Sequence, residues 1–250
     1  MSTTEQVVVV GATGAFGTMV VDKLLSEGLS VIAVARSSEA LATMVRSRPG
    51  LIPCIADIGD DSSIDAIRAA VTGPVRMVVH GPGLPFAGGV LSASPSVLAE
   101  AVNIKAGGML RLVRAVDDHL LPHSRLVAIG GHYGLEPSAY AAAPGVGNAA
   151  LVNLVRQLSL AYGERGVTAH LLVPGPADTE RLRRVAADRA ALRGIDAESV
   201  LDEMRAESSI KAFLTPEQVA WAVSLLLAPE ADAMTGSALM LDAGRRRGLP

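Results

Sequence analysis

Val7-Val8-Val9-Val10-Gly11-Ala12-Thr13-Gly14-Ala15-Phe16-Gly17 is the stretch from which the fold can be read. Four β-branched residues in a row predict a strand buried on both faces, as in a parallel sheet. The glycines behind it predict a tight turn into a helix beginning near Ala15. Such a corner suits a phosphate. Glycine lets the chain approach a pyrophosphate closely, and free N–H groups at the positive end of the helix meet its charge. The candidate cradle residues are therefore Gly11, Thr13, Gly14, Ala15, Phe16 and Gly17. Their spacing is Gly-x-x-Gly-x-x-Gly rather than Gly-x-Gly-x-x-Gly, and glycine-rich turns also close ordinary hairpins, so the flanking pattern has to decide.

Outward from this corner, apolar strand-like runs alternate with helix-period segments almost to the end of the chain. Further strands are expected near residues 30–35, 51–56, 75–79, 125–129, 167–173 and 237–241, and long helices over about 95–121 and 147–165. That alternation predicts an α/β fold: a Rossmann-like, doubly wound parallel sheet of about seven strands with helices on both faces, in a single domain spanning residues 1–250. Between about 179 and 212 the composition shifts to Arg, Ala, Asp and Glu, which predicts a helical flap over the site. Thr215-Pro216-Glu217-Gln218 carries the cap and first-turn proline of a new helix.

Composition narrows the functional classes. Half of the 250 residues are apolar but only 3% are aromatic, so the core must be built from Val, Leu, Ile and Ala. The net charge of −3 gives no electrostatic reason to expect nucleic acid or an anionic membrane as partner. A single cysteine, Cys54, excludes an internal disulfide and a multi-thiolate metal site. No apolar run reaches the roughly 18 residues of a membrane span, and a soluble cytoplasmic protein without a metal is the expectation.

The strand exits supply the remaining ligand candidates, because ligands of open α/β sheets sit beyond the carboxyl ends of the strands. The second strand ends in Ala35-Arg36-Ser37-Ser38, where a dinucleotide fold examines the adenosine ribose. No carboxylate is offered there to a 2′-hydroxyl. Arg36, with Ser37 beside it, favours a 2′-phosphate and hence NADP(H) over NAD. Asp57-Ile58 ends the third strand; Asp57 reads equally as an acceptor for the adenine amino group or as a helix cap. The fourth strand exits through His80-Gly81-Pro82-Gly83, with His80 placed to touch the ribose. His119, His123 and His170 lack ligand spacing and read as structural or exposed. The arginines Arg245, Arg246 and Arg247 read most simply as a solvated tail.

These landmarks, with Asn103, Pro174-Gly175, Thr179 and the ending Thr235-Gly236 to Leu241-Asp242-Ala243-Gly244, come in an order that resembles the short-chain dehydrogenase/reductase family over essentially the whole chain. Gly11-Ala12-Thr13-Gly14 is closer to its extended and atypical branches, the length and C-terminal landmarks to its single-domain branch. The resemblance implies an oxidoreductase and a homodimer or homotetramer. It also implies that Pro174, Gly175, Pro176 and Thr179 lie at the nicotinamide end of the cofactor.

The same resemblance exposes a departure. Carbonyl-reducing members use a Ser, a Tyr and a Lys four residues after the Tyr. Asn148-Ala149-Ala150-Leu151 resembles the family's Lys-Ala-Ala-Leu, which puts Asn148 at the Lys place, Pro144 at the Tyr place and Gly131 at the Ser place. Only Asn103, which supports a proton-relay water in the family, is retained. Loss of a positioned general acid costs about 10² to 10⁴ in rate, and ketone reduction suffers most. A protonated imine or a conjugated acceptor needs less local acid. His132, Tyr133 and Tyr140 are the candidate substitutes, since a histidine near its ordinary pKa is a competent acid at pH 7. The leading expectation is thus an NADP(H)-dependent oxidoreductase with a non-standard site, acting on a small molecule. The alternatives are an inactive NADP-binding sensor or hetero-oligomer partner, and a non-redox dehydratase or cyclase using His132 or Tyr133.

Overall fold

The structure, a computed structural model, describes residues 5–85 and 88–248. Seven parallel strands form one sheet: β1 (Gln6–Val10), β2 (Ser30–Ala35), β3 (Leu51–Ile55), β4 (Val75–His80), β5 (Leu120–Ile129), β6 (Thr168–Pro174) and β7 (Ala238–Leu241). They stand in the order β3-β2-β1-β4-β5-β6-β7. β1 is flanked by β2 on one side and β4 on the other, so the chain reverses direction across the sheet there and leaves a crevice at the carboxyl ends.

The valine run explains how both faces are covered. Val7 and Val9 pack into one core with Leu24 of α1 (Ala15–Ser26), Leu41 of α2 (Ser38–Arg46) and Val223 of α9 (Pro216–Leu225). Val8 and Val10 pack into the other, with Ile67 of α3 (Ser62–Ala70), Leu112 of α5 (Gly108–Val116) and Leu151 of α6 (Ala142–Tyr162). Alternation along one strand thereby feeds two layers of helices. α4 (Pro95–Val102) precedes α5. Residues 180–206 fold as α7 (Glu180–Arg193) and α8 (Ala197–Ala206), whose own small core joins Leu182, Ala186, Val200 and Met204. No described helix is long and apolar enough to cross a membrane.

Three boundaries differ from the sequence expectation. The helix expected over 95–121 is broken: Asn103–Gly107 is a π-helical turn between α4 and α5, and the helix ends at Val116. α6 begins at Ala142, five residues before the expected start, because Pro144 falls in its first turn, where a missing N–H and a fixed φ are harmless. β5 begins at Leu120 rather than Arg125, because Leu120 pairs with Val75 of β4 ahead of an irregularity in the register.

Leu112 is fully buried between α5 and the sheet. Leu112→Ala is expected to lower the unfolding free energy by about 2–5 kcal/mol in chemical denaturation; a loss under about 1 kcal/mol would contradict this packing.

Candidate active site

The corner after β1 is built by close backbone approach. Gly11 sits at φ +80°, and a β-carbon at Gly17 would lie 2.1 Å from the Gly11 carbonyl oxygen. A β-carbon at Gly11 would lie 2.9 Å from the carbonyl oxygen of Gly81. Gly14 caps α1 without a side-chain hydrogen bond, and no acid stands in the first turn. The first-turn N–H groups of Ala15 to Gly17 therefore have no side-chain partner, and the corner presents them to an anion.

In front of this corner lies a cleft of about 230 Å³. Gly11, Thr13 and Gly14 line one wall, Arg36 and Asp57-Ile58 the adenosine side, and Gly81-Pro82-Gly83 the other wall. The Arg36 guanidinium is 74% exposed and stands 3.9 Å from the Asp57 carboxylate. So loose a surface pair contributes little and opens readily for a phosphate. Ser37 caps α2, its hydroxyl accepting from Ala40 N–H at 3.2 Å. Asp57 accepts from Gly59 N–H at 3.0 Å, bracing its turn while lining the cleft.

His80 is corrected by the structure. Its ring is fully buried, with Nε2 3.1 Å from the Ile104 carbonyl oxygen, and it does not line the cleft. Strand alternation turns it under the π-helical turn, where a β-carbon at Gly108 would come within 2.7 Å of its ring. Burial first, then the neighbouring Lys105 charge, pushes its pKa down to about 3.

Asn103 has its side chain engaged locally. Its amide donates to the Gly59 carbonyl at 3.0 Å and to Glu100 at 3.2 Å. It braces the loop after β3. Lys105, which sequence reasoning missed, reaches the end of β5: buried, it donates from Nζ to the Ile129 carbonyl at 3.1 Å. The available signal was a single ammonium inside the apolar run Ile104-Lys105-Ala106-Gly107-Gly108-Met109.

At the end of β5, Gly130 N–H donates to the Leu172 carbonyl at 2.9 Å, tying this edge to β6. A β-carbon at Gly131 would lie 2.9 Å from Asn148 Nδ2, and one at Gly134 would lie 2.8 Å from the Asn148 β-carbon. Gly131 and Asn148 are thus neighbours, with Pro144 one helical turn earlier in α6. Pro174 ends β6, Gly175 N–H donates to the Leu241 carbonyl at 2.9 Å, and the Pro176 carbonyl accepts from Leu214 N–H at 3.1 Å. Thr179 caps α7, accepting from Leu182 N–H at 3.3 Å.

His132, Tyr133 and Tyr140 come together. With Glu136, Ser138 and Arg245 they line a second pocket of about 330 Å³ that shares no lining residue with the cleft. The His132 and Tyr133 rings are 3.9 Å apart, and Tyr133 meets Tyr140 edge-on at 5.9 Å. Burial and the Arg245 charge push the His132 pKa down to about 4, so it is neutral at pH 7 and is not the ready acid its ordinary pKa suggested. Burial raises the Tyr133 phenol. Burial also acts to raise Tyr140, but hydrogen bonds with Tyr133 and Ser138 and the charges of Arg189 and Arg245 outweigh it and leave its pKa lowered. Two of the terminal arginines are not a solvated tail: Arg245 pairs with Glu207, and Arg246 with Glu136 at 3.0 Å.

A parallel sheet with a glycine corner at its switch point and a basic residue at the end of β2 defines a dinucleotide-binding oxidoreductase fold. Residues 11–246 match the sequence profile described as enoyl-(acyl carrier protein) reductase, and the chain belongs to the short-chain dehydrogenase/reductase family. It is similar to a putative ketoacyl reductase of Streptomyces coelicolor, 26% identical with 96% of each chain covered. It is also similar to the short-chain reductase protein NovJ of Streptomyces niveus, 28% identical over 95% of this chain and 92% of that one. Among solved structures, a variant of actinorhodin polyketide ketoreductase with NADPH superposes with a TM-score of 0.90, 25% identical, over 99% of this chain and 100% of the other.

The buried imidazoles fix a pH dependence. His80, His132 and His170 hold folded pKa values of about 3, 4 and 4, each lowered first by burial, below the unfolded value of about 6.5. Between these values the unfolded chain binds protons that the folded chain refuses, so stability is fully present above about pH 6.5 and falls as the pH drops. Each imidazole contributes a slope of about 1.4 kcal/mol per pH unit in that window. Denaturation at stepped pH is expected to show this loss, and His132→Gln to remove one proton's share; an unchanged slope would contradict it.

Proposed function

We propose that the chain binds NADP(H) in the cleft at the β1/β4 switch point and reduces a small organic substrate without a Ser-Tyr-Lys centre. The observation that carries this reading is the pairing of a β-carbon-free corner after β1 with an exposed arginine, not a carboxylate, at the end of β2. The group fits the residues present. The N–H groups at the start of α1 hold the pyrophosphate, Arg36 and Ser37 hold the 2′-phosphate, and Asp57 accepts from the adenine amino group. Pro174, Gly175, Pro176 and Thr179 border the nicotinamide. When bound, the cofactor supplies a hydride.

The protein's own part is positioning and exclusion of water, with α7 and α8 as the flap over the substrate. Neither Pro144 nor a neutral His132 donates a proton at pH 7 as an imidazolium or a phenol does, which favours substrates that arrive already protonated or that delocalise the charge they receive. Protonated imines and conjugated acceptors meet that condition better than ketones. A homodimer or homotetramer formed through α6, where Leu160 is 68% exposed, is part of the same proposal.

Titration of the purified chain with NADPH and NADH tests the reading. NADPH is expected to bind more tightly, and Arg36→Ala to weaken NADPH by about 10- to 100-fold, the worth of a charge-assisted contact, while leaving NADH nearly unchanged. Equal affinities, or an Arg36→Ala chain that still prefers NADPH, would contradict it. Tight binding without oxidation of NADPH by any imine, enone or ketone would favour the sensor or partner reading instead.

A further inference from the structure

Lys105 and Asn148 reach the chain at three consecutive residues, Ile129, Gly130 and Gly131, where β5 ends. Lys105 is 6% exposed and uses one of its three N–H donors, on the Ile129 carbonyl. Among the described residues no carboxylate pairs with it. A buried ammonium without a counter-ion is unfavourable, and burial together with the charge of Arg181 holds its pKa down to about 8. Asn148, also 6% exposed, presents Nδ2 to Gly131 and leaves Oδ1 without a hydrogen-bond partner.

Arg181 is a second positive group whose charge acts on Lys105. It stands in the first turn of α7, exposed, with Nη1 only 3.5 Å from where a β-carbon at Gly83 would be. Its neighbour Arg183 is bonded to Asp178 at 2.7 Å, but no acid among the described residues pairs with Arg181. A cation in the first turn opposes the helix dipole, so Arg181 adds to the positive end of α7 rather than cancelling it. A pyrophosphate in the β1 cradle does not account for Lys105. That cradle follows β1, whereas Ile129 lies on β5 with β4 between, a displacement of about 10 Å at the usual strand spacing.

We propose that the end of β5 is a substrate site for a 2-imino carboxylate: Lys105 and Arg181 hold the carboxylate, and the protonated imine N–H donates to Asn148 Oδ1. The proposal rests on the reductase reading and names its substrate class. A 2-oxo acid would satisfy the cations but leave Oδ1 unpaired. In the reaction a hydride from the reduced nicotinamide forms the new C–H bond at the imine carbon, and the C=N π pair moves onto nitrogen. The nitrogen already carries its proton, so an amino acid forms without a side-chain acid. The nicotinamide is left oxidised, and the amine takes its further proton from water.

Calorimetry on the chain saturated with NADP tests this with three stable probes. Pyrrole-2-carboxylate offers both N–H and carboxylate, furan-2-carboxylate lacks the N–H, and pyrrole lacks the carboxylate. Affinity is expected to fall in that order, by about tenfold or more between the first two. Arg181→Met, exposed and without consequence for the core, and Lys105→Met are each expected to weaken both carboxylates about tenfold or more. Asn148→Leu is expected to lower pyrrole-2-carboxylate to the level of furan-2-carboxylate. In turnover, a cyclic 2-imino acid is expected to exceed the same imine without its carboxylate by about tenfold or more in kcat/KM. Equal binding of the first two probes, carboxylates indifferent to Arg181→Met, or carboxylates that compete with NADPH would overturn the site. Failure of the cofactor reading registers separately, as absence of NADPH binding, and the same probes on the cofactor-free chain then decide the anion site.

Discussion

The first turn of α1 approaches the carbonyl of Gly11 so closely that no β-carbon fits at residue 17, and the ligand face of the sheet depends on that approach. It seats α1 against β1, aims the uncapped N–H groups of Ala15 and Phe16 outward, and leaves a crevice between the β2 and β4 exits. A side chain at residue 17 would push the helix off the strand and close the approach a phosphate needs. The same economy of atoms recurs at Gly11 against Gly81 and at Gly131 against Asn148, so three strand exits meet their neighbours through glycine.

Charge around this face is unevenly distributed. At the β2 exit, Arg36 and Asp57 form a loose exposed pair that contributes little. Towards β5 there is an excess of positive charge, with Lys105 buried and Arg181 above it, and a carboxamide oxygen without a donor. In the second pocket Arg245 is answered by Glu207, while Arg247 lines the same pocket, exposed.

Local signals carried the fold into the sequence. A valine run, a glycine turn and alternating periodicities depend on neighbours a few residues apart, so the seven strands and the doubly wound α/β class were legible there. The catalytic end was less so, for identifiable reasons. One π-helical turn at Asn103–Gly107 widens the helix by a residue and rotates the turns beyond it, directing Asn103 towards Gly59 and Lys105 towards Ile129. Periodicity over 95–121 assumed an unbroken helix and could not see that exchange. His80 and His132 depend on burial by distant segments, which no local spacing records, and their basicity is lost through that burial.

Phosphorus NMR of NADP bound to the chain addresses the grip on the dinucleotide most directly, because it observes the two pyrophosphate nuclei and the 2′-phosphate separately. The account predicts that all three resonances shift on binding, and that Arg36→Ala returns only the 2′-phosphate to its free position. Unshifted pyrophosphate resonances, or a 2′-phosphate indifferent to Arg36, would contradict it.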